Sequence, residues 1–311
     1  MNKRITSIGG QALMEGIMMM GPTKISAAFC DEQGNITVED IEATRLKDKY
    51  PILGKPFIRG IFAMIDSFRI GYKALSLSAE KIGIDGDEEP SGFDKWLNDK
   101  FGDKLMNVVM GVAGTLGITL AIALFFFLPS VLFNLIQGFF GEGVQAARAI
   151  FEGVFRLIIF LSYLFLTSLI PDIKRTFMYH GAEHKTIFCY ETYEELTIEN
   201  IRKQSRFHPR CGTSFLVLML IIGIIVSFFI PFTNPFVRTL AKLLTIPIVM
   251  NIGYELLKLC GKHDNLLTRI IAYPGLLVQR ITTKEPTDKM IEAAIAAIES
   301  VIPENGEDLV S

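Results

Sequence analysis

Long apolar runs are the feature of this sequence that most restricts its possible folds. Of the 311 residues 50% are hydrophobic, and they are concentrated in runs rather than in the short periodic patterns of soluble proteins. Residues 216–230 contain no charge at all. Four runs approach the ~20 residues that a helix needs to cross a bilayer; they cover approximately residues 106–133, 150–170, 213–232 and 236–259. The sequence therefore predicts a mostly α-helical, polytopic membrane protein with about four transmembrane helices.

The distribution of positive charge predicts the orientation of these helices. The linker between the first two runs contains a single cation, Arg148. The loop between the second and third runs contains many, namely Lys174, Arg175, Lys185, Arg202, Lys203, Arg206 and Arg210. Cytoplasmic loops are enriched in Lys and Arg, so we expect this loop and both termini to face the cytosol, with the protein in the cell (inner) membrane. The cysteines are then expected to be free thiols or metal ligands.

The remaining sequence divides into segments with different patterns. Near the N-terminus, two short strand-like runs flank a turn signal at Gly34-Asn35, as in a β-hairpin. Apolar residues at helical spacing over about 55–83 predict an amphipathic helix. The predicted domains are an N-terminal β-rich unit (1–50), amphipathic cytosolic or interfacial helices with an acidic linker (51–104), a four-helix transmembrane domain (105–260) that includes a cytosolic loop (172–212), and a C-terminal cytosolic segment with a short helix (261–311).

A candidate metal-binding motif lies in the cytosolic loop. His180 and His184 are four residues apart, so on a helix both imidazoles lie on one face, about 6 Å apart along the axis. Glu183 projects from an adjoining part of that face. The pattern His-x-x-Glu-His is the inverted form of the zinc-peptidase helix, with two histidine ligands and a carboxylate that acts as a general base.

A catalytic zinc ion usually has three protein ligands, so this motif needs a further ligand from elsewhere. Glu191 lies seven residues beyond His184, about 10 Å along a straight helix, which is too far to share its ion. His208 and Cys211 stand at the other end of the same loop, and both are good zinc donors. We therefore predict His180, His184, His208 and Cys211 as metal ligands. The alternative is that these histidines only donate hydrogen bonds to loop carbonyls.

Four motifs span most of the chain and carry a resemblance to a known family: Gly9–Met19, His180–Lys185, His208–Phe215 and, more loosely, Thr282–Pro286. In these motifs the chain resembles the YqhQ-like family of bacterial membrane proteins, a family of unknown function described as predicted metal-dependent enzymes. The resemblance implies a metal cofactor and an unknown reaction. In the first motif, Met20 stands where an arginine is expected.

The leading functional hypothesis is a zinc hydrolase, peptidase-like or amidase-like, at the cytosolic face of the membrane. In it Glu183 is the catalytic base, and Lys185 or Arg210 stabilises an oxyanion or binds an anionic substrate. Glu15 is a candidate for supporting the ligands, against the simpler interpretation that it is a solvated residue of an edge strand. The expected partners are the lipid bilayer and an unidentified substrate.

Two other classes of protein stay open. A non-enzymatic membrane protein would use all four ligands in a closed, structural Cys/His site. A transporter would have charged residues deep in its transmembrane helices; it ranks last, since Glu152 and Arg156, four residues apart, are expected to pair at the membrane interface. Nucleic-acid binding is not expected, since the net charge is −2 and there is no basic or aromatic platform.

Overall fold

The computed structural model describes residues 5–31, 33–81, 111–263 and 265–309. The chain forms two compact units: the first comprises residues 1–82, 162–222 and 247–311, and the second comprises residues 83–161 and 223–246. The helices in the described ranges are α1 (Leu46–Lys49), α2 (Arg59–Lys81), α3 (Gly111–Phe140), α4 (Arg148–Thr167), α5 (Pro171–Glu191), α6 (Ile198–Lys203), α7 (Gly212–Ser227), α8 (Pro235–Lys262), α9 (Leu266–Thr282) and α10 (Asp288–Glu299). The mostly helical fold class is confirmed.

The first unit begins with a small antiparallel sheet, which confirms the predicted N-terminal β structure. Its four strands follow each other in chain order and are β1 (Gly9–Leu13), β2 (Gly16–Met20), β3 (Ile25–Cys30) and β4 (Ile36–Asp40). Successive side chains of a strand point to opposite faces. Ile17 and Met19 accordingly lie in one apolar core, which also contains residues of α5 and α10, whereas Met18 lies in another, which contains Ile70 of α2.

The amphipathic helix predicted over about 55–83 is observed as α2. The acidic linker that follows it, and the rest of the segment predicted to 104, lie outside the described residues. At the other end of the chain, the tail is held against the first unit: Asp308 accepts hydrogen bonds from the hydroxyls of Thr6 and Tyr190. The predicted C-terminal helix is α10, and its Met290, Ala294 and Ile298 are buried against the sheet and α5.

Three of the described helices are long and apolar enough to cross a membrane: α3, α4 with the short turn that precedes it, and α8. The helix α7, expected to be the clearest span, has 16 residues, which corresponds to about 24 Å. The apolar run continues to Phe232, but the helix ends at Ser227, before Pro231. The guanidinium of Arg238 binds the carbonyls of Ser227, Ile230 and Phe232. Four membrane-spanning helices are thus not confirmed.

The second unit contains a buried cluster of charged side chains, defined as Arg148, Glu152, Arg156, Arg238 and Lys242. Glu152 is 1% exposed and forms ion pairs with Arg148 (3.0 Å), Arg238 (2.9 Å) and Lys242. The prediction that Glu152 pairs with Arg156 is wrong. Arg156 instead donates to the carbonyl of Phe125 at 2.8 Å, which belongs to a π-helical turn of α3 (Ala123–Phe127). Wider turns of this kind leave carbonyls available to other donors.

Candidate metal centre

Helix α5 carries the inverted zinc-peptidase motif. Pro171 begins the helix, consistent with the preference of proline for a first helical turn. The rings of His180 and His184 lie 4.4 Å apart, centroid to centroid, as the spacing of four residues predicts. His184 and Glu183 are 1% and 6% exposed. The motif is therefore enclosed within the first unit, where a bound ion would be shielded from bulk water.

Cys211 joins the two histidines. It lies at the N-terminus of α7, and its Sγ is 3.1 Å from Nε2 of His180. Among the described residues, His180, His184 and Cys211 form the one group of three that could hold a metal ion, with ligand atoms all within 4.8 Å of one another. Ligands of a tetrahedral zinc ion lie about 3.5 Å apart, so the group is only slightly wider than a coordination sphere.

Backbone carbonyls orient both imidazoles. Nδ1 of His180 is 2.8 Å from the carbonyl oxygen of Thr282, and Nδ1 of His184 is 2.6 Å from that of Arg206. A carbonyl only accepts, so each Nδ1 carries the hydrogen and each Nε2 faces the group. Nε2 of His184 is buried and has no hydrogen-bond partner among the described residues. Metal-binding histidines are typically held in this way, and the donor set fits a zinc ion.

The electrostatics of the group favour an ionised thiol. Burial raises the pKa of Cys211, but the imidazoles of His180 and His184 together bring it well below its ordinary value. Conversely, burial lowers the pKa of His180, and the adjacent Cys211 raises it to about 9. Without a metal, the Nε2 proton of His180 therefore bridges to the sulfur. A metal ion that binds here displaces this proton, as expected for imidazole and thiolate ligands.

Glu183 lies beside the three ligand residues and is covered by strand β1. Burial raises the pKa of its carboxyl group, and the backbone of Gly10 is a hydrogen-bond partner. A Cβ at Gly10 would lie 2.9 Å from both Cγ and Cδ of Glu183 and 2.7 Å from the carbonyl oxygen of Met18. Only glycine therefore allows β1 to approach the carboxylate this closely. Of the Gly9-Gly10 pair in the first sequence motif, only Gly10 makes this contact.

His208 lies next to the group without belonging to it. Its ring is 5.6 Å from that of His184, and its Nδ1 accepts from the backbone N–H of Arg210 at 3.3 Å. Burial, with Arg210 nearby, lowers its pKa to about 4, so the neutral ring carries its hydrogen on Nε2. That nitrogen is 3.7 Å from a carboxylate oxygen of Glu191. In this arrangement His208 has no lone pair directed at the three ligand residues.

The other predicted site residues have varied surroundings. Glu15 forms an ion pair with Arg175, and it does not line the small cavity described below. Lys185 donates to the carbonyl of Arg202 at 2.9 Å and pairs with Glu285 at 3.0 Å, so it fixes the loop. Arg210 pairs with Glu191 and donates to the carbonyl of Thr6 at 2.6 Å.

A small cavity opens next to the metal ligands. Its volume is about 100 Å³, enough for about three water molecules. It is lined by Ile8, Gly9, Gly10, Glu183, His184, Ile187, His208, Arg210, Cys211 and Gly212. Ligand atoms from His184 and Cys211 and the carboxylate of Glu183 thus share one space with room for a small reactant. A site with three protein ligands and adjacent free volume is typical of catalytic rather than structural metal centres.

Some residues that hold the site together carry no recognisable sequence signal. Gln279 is fully buried; it accepts from the backbone N–H of His208 and donates to its carbonyl. Burial raises the pKa of Glu191, but His208 and Arg210 lower it to about 2. Thr282 begins the loosest of the four sequence motifs, and its carbonyl accepts a hydrogen bond from His180. An isolated buried glutamine or a backbone carbonyl is visible only in three dimensions.

Comparison with known proteins places the chain in a family. Residues 55–304 match the family described as "Protein of unknown function (DUF1385)". The chain is 35% identical over 296 residues to "Uncharacterized protein YqhQ" of Bacillus subtilis (strain 168), with 94% of this chain and 92% of that protein covered. No solved structure matches. The sequence motifs and these similarities agree, and the chain belongs to the DUF1385, YqhQ-like family of proteins whose function is unknown.

Proposed function

We propose that the chain is a membrane-anchored, metal-dependent hydrolase, peptidase-like or amidase-like, whose site faces the cytosol. The observation that carries this proposal is the buried convergence of His180, His184 and Cys211, with both Nδ1 atoms bound to carbonyls. Three ligand residues beside a cavity favour an enzyme over a closed structural site. A divalent metal, most suitably zinc for nitrogen and sulfur ligands, supplies Lewis-acid activation of water and of a substrate carbonyl.

The side chains around the cavity have distinct roles in this proposal. The carboxylate of Glu183 takes the proton from an attacking water and later transfers it to the leaving group. The contact between Gly10 and Glu183 keeps bulk water from the carboxylate on one side. Arg210 lines the same cavity and is held by Glu191 and Thr6, so its guanidinium is fixed where it can donate a hydrogen bond to a substrate oxygen.

The membrane anchor supports the proposed location. Helix α4 is long and apolar enough to cross a bilayer, and only residues 168–170 separate it from α5, which carries the motif. The loop that contains the motif is rich in Lys and Arg, as cytoplasmic loops are. If α7 crosses the membrane as a fourth, short span, both termini lie on the cytosolic side. Reporter fusions after residue 145 and at the C-terminus are expected to report opposite sides of the membrane.

Metal analysis of the purified full-length protein tests the proposal. We expect about one zinc per chain in the wild type and in His263→Ala, which removes a histidine outside the site. His184→Ala should lose the metal, because it removes the unpartnered Nε2. Equal, negligible metal in wild type and His184→Ala would end the metalloenzyme hypothesis.

The variant Glu183→Gln separates an enzyme from a structural metal site. Glutamine preserves size but does not accept the proton, so metal content and melting temperature should stay at wild-type values. Hydrolysis of a panel of peptide and amide reporter substrates should fall by at least about 10²-fold, since general-base catalysis typically contributes 10²–10⁴-fold. Undiminished hydrolysis by Glu183→Gln would remove the assigned role of this carboxylate.

A further inference from the structure

A second, larger cavity of the first unit adjoins the candidate metal centre. Its volume is about 710 Å³, within the range of 300–1,000 Å³ that is typical of small-molecule sites. It shares four lining residues with the small cavity beside the metal ligands, namely Ile8, Gly9, Gly10 and Arg210. The two cavities therefore meet at strand β1.

The lining of this cavity has an excess of positive charge. It includes six cationic residues, Arg45, Lys47, Arg59, Arg210, Lys258 and Lys262, and two acidic ones, Asp66 and Glu307. Arg59 is neutralised by Glu255 and Arg210 by Glu191. Among the described residues, Arg45, Lys47 and Lys258 form no ion pair. Lys258 interacts electrostatically with the cations Arg59, Lys262 and Lys47 and with the acid Glu255. The cations of the lining outnumber its acids, and such an excess of positive charge favours an anionic ligand.

The same cavity has apolar walls and lies against an amphipathic helix. Leu53, Phe62, Ile70 and Leu257 line it along with the charged residues. The opposite face of α2 carries exposed aromatic side chains: Phe68 is 71% exposed and Tyr72 is 66% exposed. Large aromatic residues on one face of a helix are typical of contact with a membrane interface. The cavity itself combines positive charge and apolar surface.

We propose that this cavity binds an anionic amphiphile, a molecule with a phosphate or carboxylate group and an apolar portion. Lys47 and Lys258 bind the anionic group, and the apolar walls bind the remainder. Resting on the proposed function, this assigns the substrate class: the bond to be hydrolysed lies next to the anionic group, and it reaches the metal ligands past Gly9 and Gly10. The glycines leave a backbone surface without side chains at the junction.

Binding is tested on the full-length protein in a neutral detergent by isothermal titration with three probes. These are a short-chain phosphatidylglycerol, a phosphatidylcholine of the same chain length and glycerol 3-phosphate. The double variant Lys47→Gln/Lys258→Gln is compared with Lys49→Gln/Lys174→Gln, which removes the same charge from exposed lysines outside the cavity. All titrations are repeated on His184→Ala.

We expect phosphatidylglycerol to bind at least about tenfold more tightly than the other two probes, and the cavity variant, unlike the control, to lose this preference. Equal affinity for phosphatidylcholine would overturn the role of charge. Equal affinity for glycerol 3-phosphate would overturn the role of the apolar walls, and identical behaviour of the two double variants would overturn the assignment to this cavity. Binding retained by His184→Ala is expected, so the result does not depend on whether the protein binds metal.

Discussion

The geometry distinguishes two residues that the sequence treats alike. His208 and Cys211 stand three positions apart at the same end of the loop between α5 and α7, and both are good metal donors. The sulfur of Cys211 is 3.1 Å from Nε2 of His180, whereas Nε2 of His208 faces Glu191. We therefore predict that Cys211→Ser weakens zinc binding far more than His208→Ala does.

The size of the effect follows from the number of ligands. Structural zinc sites with four protein ligands bind with about 10–16 kcal/mol, or about 3 kcal/mol for each ligand. Loss of the thiolate of Cys211 should accordingly weaken binding about 10²-fold. His208 supports the site only through its neighbours, so His208→Ala should weaken binding about tenfold at most, the lower end of the range for residues that orient ligands.

The assay is a competition titration of reduced, metal-free protein in detergent against a chromophoric zinc chelator. Cys260→Ser is the matched control, because Cys260 is also a buried free thiol, hydrogen-bonded to the carbonyl of Thr268. Its affinity should equal that of the wild type. The reasoning is refuted if Cys211→Ser binds zinc as tightly as the control, or if His208→Ala loses as much affinity as His184→Ala.

Two further predictions concern stability, and both are checked by the melting temperature of the protein in detergent. A Cβ at Gly181 would overlap the carbonyl oxygen of Lys284, so Gly181→Ala should destabilise the first unit by about 3 kcal/mol. The control is Gly9→Ala, where a Cβ meets nothing within 4 Å; this variant should melt like the wild type. Equal melting temperatures of the two variants would contradict the packing argument. Glu152→Gln removes the carboxylate that pairs with Lys242 in the buried cluster and should cost roughly 3–5 kcal/mol; an unchanged melting temperature would show that the cluster does not depend on it.

Local periodicity explains which parts of the site could be predicted. The spacing of His180 and His184 determines their common face on any helix, so their convergence follows from two sequence positions. Cys211 could be identified as a candidate metal ligand because few other residues of the same loop are good metal donors. The position of His208 could not be predicted, because it depends on the fully buried amide of Gln279, 71 residues away. Glu191 does not belong to the group of three ligand residues, and its interaction with His208 and Arg210 depends on how the loop folds.

The length of α7 shows a similar limit. A hydropathy scale measures only the free energy of transferring side chains out of water. By that measure the sequence stays apolar from Thr213 to Phe232. Proline lacks an N–H and disfavours helical backbone in the residue before it, so Pro231 prevents the helix from continuing to the end of the run. Arg238 then binds the carbonyls of Ser227, Ile230 and Phe232. That arginine lies in the next helix, so no window confined to the apolar run includes this contact. The strands and α2 could be predicted because their apolar residues recur, over a short stretch, with the period of a strand or of a helix.

The buried charged cluster has a consequence for biogenesis. Glu152 is synthesised 86 residues before Arg238 and 90 before Lys242, two of its three ion-pair partners among the described residues. Until α8 emerges from the ribosome, Glu152 has Arg148 of its own helix but lacks these two partners, and charged side chains within a membrane-spanning helix are costly. Stable insertion of α4 therefore depends on a helix made later, and chains truncated before residue 235 should be retained by the insertion machinery or degraded. The cluster makes assembly of these membrane helices a single, late event.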